Sequence, residues 1–256
     1  MVRGDMLDPA SLLPAMSGVS AVISSAIGYS RRRQGDSLKV DFDGNHNLVD
    51  AAKKAGVPRF VFLSILACDE APEVPHFWAK KVTEDYLEQQ GVPFVALRPG
   101  AFLYAPPGPY GRWMLSALQK GRVMGMTRGN VRITYIAPEA VARALALAVD
   151  EPRALGKKID LGSDRPLSGL ELTELVGRLL NRPMKLQPMG GGGMRFFALF
   201  NRGVRGILEM IDFFQTGKYV ADTRLQAELF GPIPSVEDAV RKMLQDLGYA
   251  PTTASV

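Results

Sequence analysis

The chain has 256 residues, 46% hydrophobic and 22% charged, with a formal net charge of +5, an ordinary globular composition whose length fits one α/β domain with an appendage. A single cysteine, Cys68, excludes an internal disulfide, and without Cys/His clusters no metal site is expected. There is no apolar run of about twenty residues, no apolar stretch after MVRGDMLDP to make a signal peptide, and no basic stripe with interleaved aromatics; these exclusions leave a cytoplasmic protein with no nucleic-acid partner, its mild positive excess suiting an anionic ligand.

In chain order, the opening VRGDMLD (Val2–Asp8) leads into a short helix, Pro9–Met16, with Leu12, Leu13 and Met16 inward and Gly18 ending it. Val19–Ser25, VSAVISS, is apolar and β-rich and reads as a strand. Tyr29–Leu38 is a polar loop whose triplet Arg31-Arg32-Arg33 either steers a 2′-phosphate or acidic substrate, or is simply solvated. A helix follows at Val40–Ala55, with Phe42, Leu48, Val49 and Ala52 on its inner face and His46 exposed.

The centre of the chain is a strand–helix–strand unit. Phe60–Ala67 is a short apolar run after Gly56-Val57-Pro58, as expected of a buried parallel strand. Lys80–Gln90 is a surface helix with Val82, Tyr86 and Leu87 on one side, and Gly91 ends it. Phe94–Leu97 is a second buried strand, stopped by Arg98-Pro99-Gly100. Such a βαβ unit has a right-handed crossover, and its ligands bind beyond the carboxyl ends of the strands. Those ends are Ser64–Ala67 and Pro99–Phe102.

Beyond it, Ala105–Tyr110 is a stiff loop, Trp113–Lys120 a helix, and Arg122–Asn130 a loop or edge strand. Ile133–Ile136 leads into the helix Pro138–Asp150, and Lys158–Leu161 is another strand. Ser168 and Glu171 form a capping-box pattern opening the helix Ser168–Leu180, and Pro183–Pro188 is extended. Gly190–Gly193 lacks the Lys-Ser/Thr ending of a phosphate loop and reads as a hinge. Met194–Phe214, rich in Phe, Leu, Ile and Met with interspersed Arg, reads as a lid packed over the substrate region or as an amphipathic helix on a membrane surface. A last helix spans Pro234–Leu247 with a Ser235–Asp238 cap, and the tail Pro251–Val256 is expected to be disordered.

The segments FVFLS, HFWAKKVTE and LRPGAF, with VRGDMLDPASLLPAMSGVSAVISSA and VDFDGNHNLVDAAKKAGV upstream and ITYIAPEAVARALALAVDEP downstream, resemble the atypical short-chain dehydrogenase/reductases of the NmrA-like, NAD(P)-binding group. The resemblance covers roughly residues 2–165. It implies an α/β fold, a doubly wound parallel (Rossmann-like) sheet, with residues 1–165 binding NAD or NADP and a small, mostly helical region, 166–256, forming a substrate or lid region. It implies an NAD(P)H-dependent oxidoreductase of an unnamed small molecule, or a non-catalytic dinucleotide sensor or assembly protein. Carried over by position, Asp5 and Met6 stand beside the adenine, Ser24, Ser25 and Ala26 on the adenosine side, Ser64 at the central strand's end, Lys80 on the nicotinamide ribose, and Pro99, Gly100, Ala101 and Phe102 against the nicotinamide. The Asn residues after Asp41 hold backbone.

Two departures stand out. In the family's Tyr-x-x-x-Lys frame the Tyr is His76, and the Ser/Thr position is Leu66, so catalysis would rest on Lys80 with His76 as proton donor. The glycine-rich turn that cradles the pyrophosphate follows no strand in these residues. The expectation is a chain whose start lies within a longer reading frame, an N-terminally truncated fold; the other reading is a native short protein that holds the dinucleotide differently. The oligomeric state and the choice between NAD and NADP stay open.

Overall fold

The computed structural model describes residues 2–28, 39–105, 108–190 and 192–251. The loop carrying Arg31-Arg32-Arg33, Pro106-Pro107 of the stiff loop and residues 252–256 of the tail lie outside the described residues. The chain forms two compact units, Met1–Pro99 with Ala142–Leu161 and Thr223–Gly231, and Gly100–Val141 with Gly162–Asp222 and Pro232–Val256.

The first unit is built on a parallel sheet. Its elements are α1 (Pro9–Ala15), β1 (Val22–Ser24), a π-helical turn (Lys39–Gly44) running into α2 (Asn45–Lys54), β2 (Phe60–Leu63), α3 (Pro75–Gln90) and β3 (Phe94–Pro99). The sheet order is β1, β2, β3, then Lys158–Leu161 (β8, since four short strands of the second unit lie between it and β3 in the chain). Register places Val22, Phe60 and Phe94 in one row, and Ser24, Phe62 and Ala96 in the next on the same face. That face packs against Leu12 and Met16, against Val49 and Ala52 of α2, and against Leu87 of α3, in one buried cluster. The opposite face carries Val61, Val95, Leu97 and Ile159, all fully buried. Strands buried on both faces cannot alternate apolar with polar, so the runs FVFL and FVAL are continuous. Truncating Phe62 in such a core costs about 3–5 kcal/mol.

The structure shortens both predicted strands and lengthens a helix. The strand expected over Phe60–Ala67 ends at Leu63, and that expected over Val19–Ser25 covers only Val22–Ser24. The helix expected from Lys80 starts at Pro75, because a proline at the first helical position needs no N–H partner. It stops as expected at Gly91, whose φ of 64° is left-handed. Val2–Gly4 pairs with no strand among the described residues; the opening has only the isolated bridge between Asp5 and Asp8, with Asp8 capping α1.

The second unit contains β4 (Ala101–Phe102), α4 (Pro109–Gln119), β5 (Arg122–Gly125), β6 (Arg132–Ile133) and β7 (Tyr135–Ile136). The helix α5 (Pro138–Asp150) runs from this unit into the first, and β8 closes the first unit's sheet. Then come β9 (Leu167–Ser168), α6 (Gly169–Leu179), β10 (Lys185–Pro188), α7 (Gly192–Ala198) and α8 (Arg202–Phe214). The first unit takes α9 (Arg224–Phe230), and the second ends with α10 (Val236–Asp246). β4 pairs with β7 and β5 with β10, both parallel, and β6 with β9 antiparallel. The capping box on α6 is complete: Glu171 N–H donates to Ser168 Oγ, and Ser168 N–H donates to the Glu171 carboxylate. Ser235 caps α10 through Asp238 N–H.

Candidate functional site

Within the first unit, the carboxyl ends of β1, β2 and β3 gather most of the residues singled out by position. Ser24 is buried and its hydroxyl donates to Asn45 Oδ1 at 2.7 Å. Asn45 Nδ2 in turn donates to the Asp41 carbonyl at 3.0 Å, and Asn47 Nδ2 to the Met6 carbonyl at 2.8 Å. The asparagines therefore tie backbone together, as expected from the sequence. Ser64 follows β2, its N–H donating to the Leu97 carbonyl, and Leu66 N–H donates to that of Pro99. These bonds hold the ends of β2 and β3 side by side.

Lys80 stands among these ends. It is 6% exposed, its ammonium donates to the Ala26 carbonyl at 3.0 Å, and it lies 4.9 Å over the Phe62 ring centroid. Its nearest carboxylate is Asp41, at 3.9 Å and itself buried, which also accepts from Gly28 N–H at 3.2 Å. Burial lowers the lysine pKa and the Asp41 charge opposes that. An ammonium has three donors, and the Ala26 carbonyl takes one.

His76 lies one turn before Lys80 on α3, partly buried, its ring edge-on to Phe77 at 4.8 Å. Burial, reinforced by the Lys80 charge, pushes its pKa down to about 4. At neutral pH the imidazole is therefore uncharged. It offers a hydrogen bond rather than the proton of an imidazolium.

Other positions depart from expectation. Glu84, one helical turn after Lys80, pairs not with it but with Arg98, Nε to Oε1 at 2.9 Å and Nη2 to Oε2 at 2.6 Å. The residue that serves Lys80 is Asp41, 39 positions away, a link no local spacing signals. His46 is not exposed: its ring stacks between Phe42 and Tyr86, with centroids 4.2 and 4.1 Å away. Cys68 is buried beside Glu84 and its thiol is pushed up to about 12, chiefly by burial, so it is an unreactive thiol. Asp5 is exposed and its carboxylate accepts from Leu7 N–H at 2.9 Å; Ser25 is exposed and Ala26 half-buried.

Pro99 ends β3 in the first unit, whereas Gly100, Ala101 and Phe102 belong to the second. A Cβ on Gly100 would lie 2.5 Å from the Thr134 carbonyl oxygen, so glycine is required there by packing on its own unit. Ala101 N–H donates to that same carbonyl at 2.9 Å. Phe102 is exposed and edge-on to Tyr104, so it does not fill the core. The second unit also holds an open hollow of about 670 Å³ lined by Asn130, Arg132, Glu171, Gln215 and Val220 among others, and it contains none of the residues chosen from sequence.

Tested against a dinucleotide, these residues fit its ribose side. Lys80 has donors beyond the one given to Ala26, and Ser64 Oγ stands 3.8 Å from Cys68 Sγ. For the diphosphate, the 256 residues contain no Gly-x-x-Gly-x-x-Gly pattern; Gly190–Gly193, after β10, belong to the second unit and lack that spacing.

A family model described as NAD(P)H-binding matches residues 1–152. Among curated proteins, the photosystem II assembly factor Ycf39 of Synechocystis sp. is 30% identical over 205 residues, 79% of this chain and 60% of that protein. The chain thus spans about three fifths of that relative's length. Among solved structures, the triphenylmethane reductase of Citrobacter sp. complexed with NADP(H) superposes with a TM-score of 0.75 at 18% identity, over 95% of this chain and 83% of that one. The NADPH-dependent quinone oxidoreductase of Escherichia coli, complexed with NADPH, gives 0.74 at 21%, over 93% and 81%. Both share the Rossmann-like α/β fold.

Proposed function

The chain belongs to the NAD(P)H-binding family, and from that premise we propose that it is an NAD(P)H-dependent oxidoreductase of a small molecule, with Lys80 and His76 as its working side chains. The observation that carries the reading is Lys80, an ammonium held by Asp41 and the Ala26 carbonyl at the carboxyl ends of β1 and β2. The bound dinucleotide supplies the hydride. Lys80 would hold the nicotinamide ribose hydroxyls with its remaining donors, and Ser24, Ser25 and Ala26 would border the adenosine side. Asp5 and Met6 would stand by the adenine, and Ser64 and Pro99 by the nicotinamide. Neutral His76 would donate an N–H to the substrate oxygen as negative charge develops there, the task of an oxyanion donor. Leu66, where the family has Ser or Thr, donates nothing, so His76 carries that polarisation without a hydroxyl beside it.

The test is calorimetric titration with NADPH and NADH, followed by NADPH oxidation with a panel of quinones and carbonyls. Lys80→Ala is expected to weaken dinucleotide binding and lower kcat/KM by about a hundredfold or more, and His76→Ala to lower kcat by on the order of tenfold to a hundredfold with binding retained. Turnover untouched by both substitutions would rule the assignment out. A second reading, a dinucleotide-sensing assembly protein, draws on the missing Tyr and Ser/Thr and on the printed name of the Synechocystis relative. It predicts binding that discriminates oxidised from reduced dinucleotide and no turnover across the panel.

A further inference from the structure

Ser64, Cys68 and Glu84 form a chain of buried polar groups in the first unit, 4%, 0% and 0% exposed. Ser64 follows directly on β2. Leu66 N–H is fixed on the Pro99 carbonyl, and Ala67 turns the backbone with a φ of 52°, in the left-handed region that residues with a Cβ seldom occupy. Beyond that turn the Cys68 side chain stands between Ser64 and α3. Its Sγ is 3.8 Å from Ser64 Oγ and 3.7 Å from Glu84 Oε1.

These contacts decide where each proton points. Glu84 accepts from Arg98 Nε on one oxygen and from Nη2 on the other, and a carboxylate paired in this way has no proton to give. Cys68 has one proton, and burial together with the Glu84 charge pushes the thiol up to about 12, so the proton stays on at neutral pH. Turned towards Ser64, it would leave the sulfur lone pairs facing the Glu84 oxygen, acceptor against acceptor in a dry interior, the arrangement that burial penalises. Turned towards Glu84, it makes a hydrogen bond to a charged acceptor, about twice as strong as one to a neutral acceptor. The thiol proton therefore goes to Glu84. With that proton spent the sulfur can only accept, and the Ser64 hydroxyl donates to it.

We propose that Ser64 is a specificity-determining residue that accepts one hydrogen bond from an N–H or O–H on the nicotinamide half of the dinucleotide, and that Cys68 is the positioning residue that sets this direction by relaying the polarity of Glu84. The choice of ligand rests on the function proposed above, which puts the end of β2 by the nicotinamide. A hydroxyl whose proton is held by sulfur offers its remaining lone pairs and nothing else. It selects for a donor and does not polarise a substrate oxygen. Ser64 thus does not make up for Leu66, and the polarising task stays with His76.

The experiment has two arms. The S–H stretch falls in a region of the infrared spectrum free of other protein bands, and the chain has a single cysteine, so one band reports this bond. Without ligand, the band is expected below that of a simple thiol in an apolar solvent, and Ser64→Ala is expected to leave it there. A band at the free-thiol position, or one that moves up to it in Ser64→Ala, shows the proton to be free or given to Ser64 and overturns the proposal. The second arm is calorimetric titration with NADPH, with turnover beside it. Ser64→Ala is expected to weaken binding about fivefold to tenfold and to lower kcat by less, and Cys68→Ala to weaken binding about threefold. Cys68→Ser, which again gives one proton and accepts another, is expected to match wild type. A fall in kcat of about a hundredfold in Ser64→Ala with binding kept is the mark of an oxyanion donor and overturns the proposal. So does NADPH affinity unmoved by Ser64→Ala. Wild type that binds no NADPH overturns the proposed function and this ligand together, and the band then shows separately whether the proton direction failed as well.

Discussion

A lysine taken out of water loses hydration that only acceptors and a counter-charge restore, and Lys80 finds these in the Ala26 carbonyl and Asp41. The lysine was legible in the sequence because its helix follows an apolar strand and it occupies a recognisable frame. Asp41 was not, since a buried pair joined through the fold leaves no local spacing to read. His76 was legible as a position and not as a chemical state, because its low pKa comes from burial that only the folded chain shows. That state has a measurable consequence. The folded-state pKa of about 4 lies below the ordinary 6.5, so between those values the unfolded chain binds the proton and the native one does not. Stability is then complete above pH 6.5 and is lost as pH falls towards 4, with a ceiling of about 3 kcal/mol. His46, also lowered by burial, adds a loss of the same sign. In urea unfolding followed from neutral pH down to pH 4, His76→Asn is expected to show a shallower fall in midpoint than wild type. Parallel curves would mean that His76 is solvated in the native protein.

At the scale of elements, α3 is fastened to the sheet by charge as well as by Phe77 and Leu87. Glu84 is fully buried and meets the Arg98 guanidinium through two hydrogen bonds, with Asp69 on Arg98 Nη1 at 3.2 Å and Lys158 of β8 at 3.9 Å from Glu84. Helix, β3 and β8 are thus joined through one carboxylate. The sequence shows Arg98 in the turn that ends a strand, but its partner on the helix emerges only when the crossover lays α3 over the strand. A buried pair contributes little over an apolar replacement, yet removing one member strands the other. Arg98→Met is therefore expected to destabilise the protein by about 3–5 kcal/mol, because Glu84 keeps its charge without its main partner. The double variant Arg98→Met, Glu84→Met should recover much of that loss. Denaturant unfolding of the three proteins checks it, and a double variant as unstable as the single one would contradict the ionic account.

For the whole molecule, what could be read in advance follows strand length and burial. Parallel strands covered on both faces are unbroken apolar runs, so β2 and β3 could be located from sequence, whereas β8, Lys158-Ile159-Asp160-Leu161, shows instead the alternation of a half-buried strand. The two-residue strands β4, β6, β7 and β9 are too short to show any period and appear only through their pairings. The same principle identifies a weak margin. Among the described residues β1 is the edge of its sheet, paired to β2 alone, and it reads Val22-Ile23-Ser24 without a charge or proline. Ile23 shares a row with the fully buried Val61 and Val95, yet it is 47% exposed. Natural sheet edges are blunted by lysine, proline or a bulge, because unpaired N–H and C=O groups beside apolar side chains recruit other strands. This edge carries none of those devices, so the 256-residue chain is expected to associate with rising concentration. Ile23→Lys places a charge at the exposed edge end of that row, and in sedimentation velocity it is expected to shift the distribution towards the smallest species with the far-UV spectrum unchanged. If wild type and variant sediment alike across the series, the edge is covered in solution, and β1 is not the margin of this sheet.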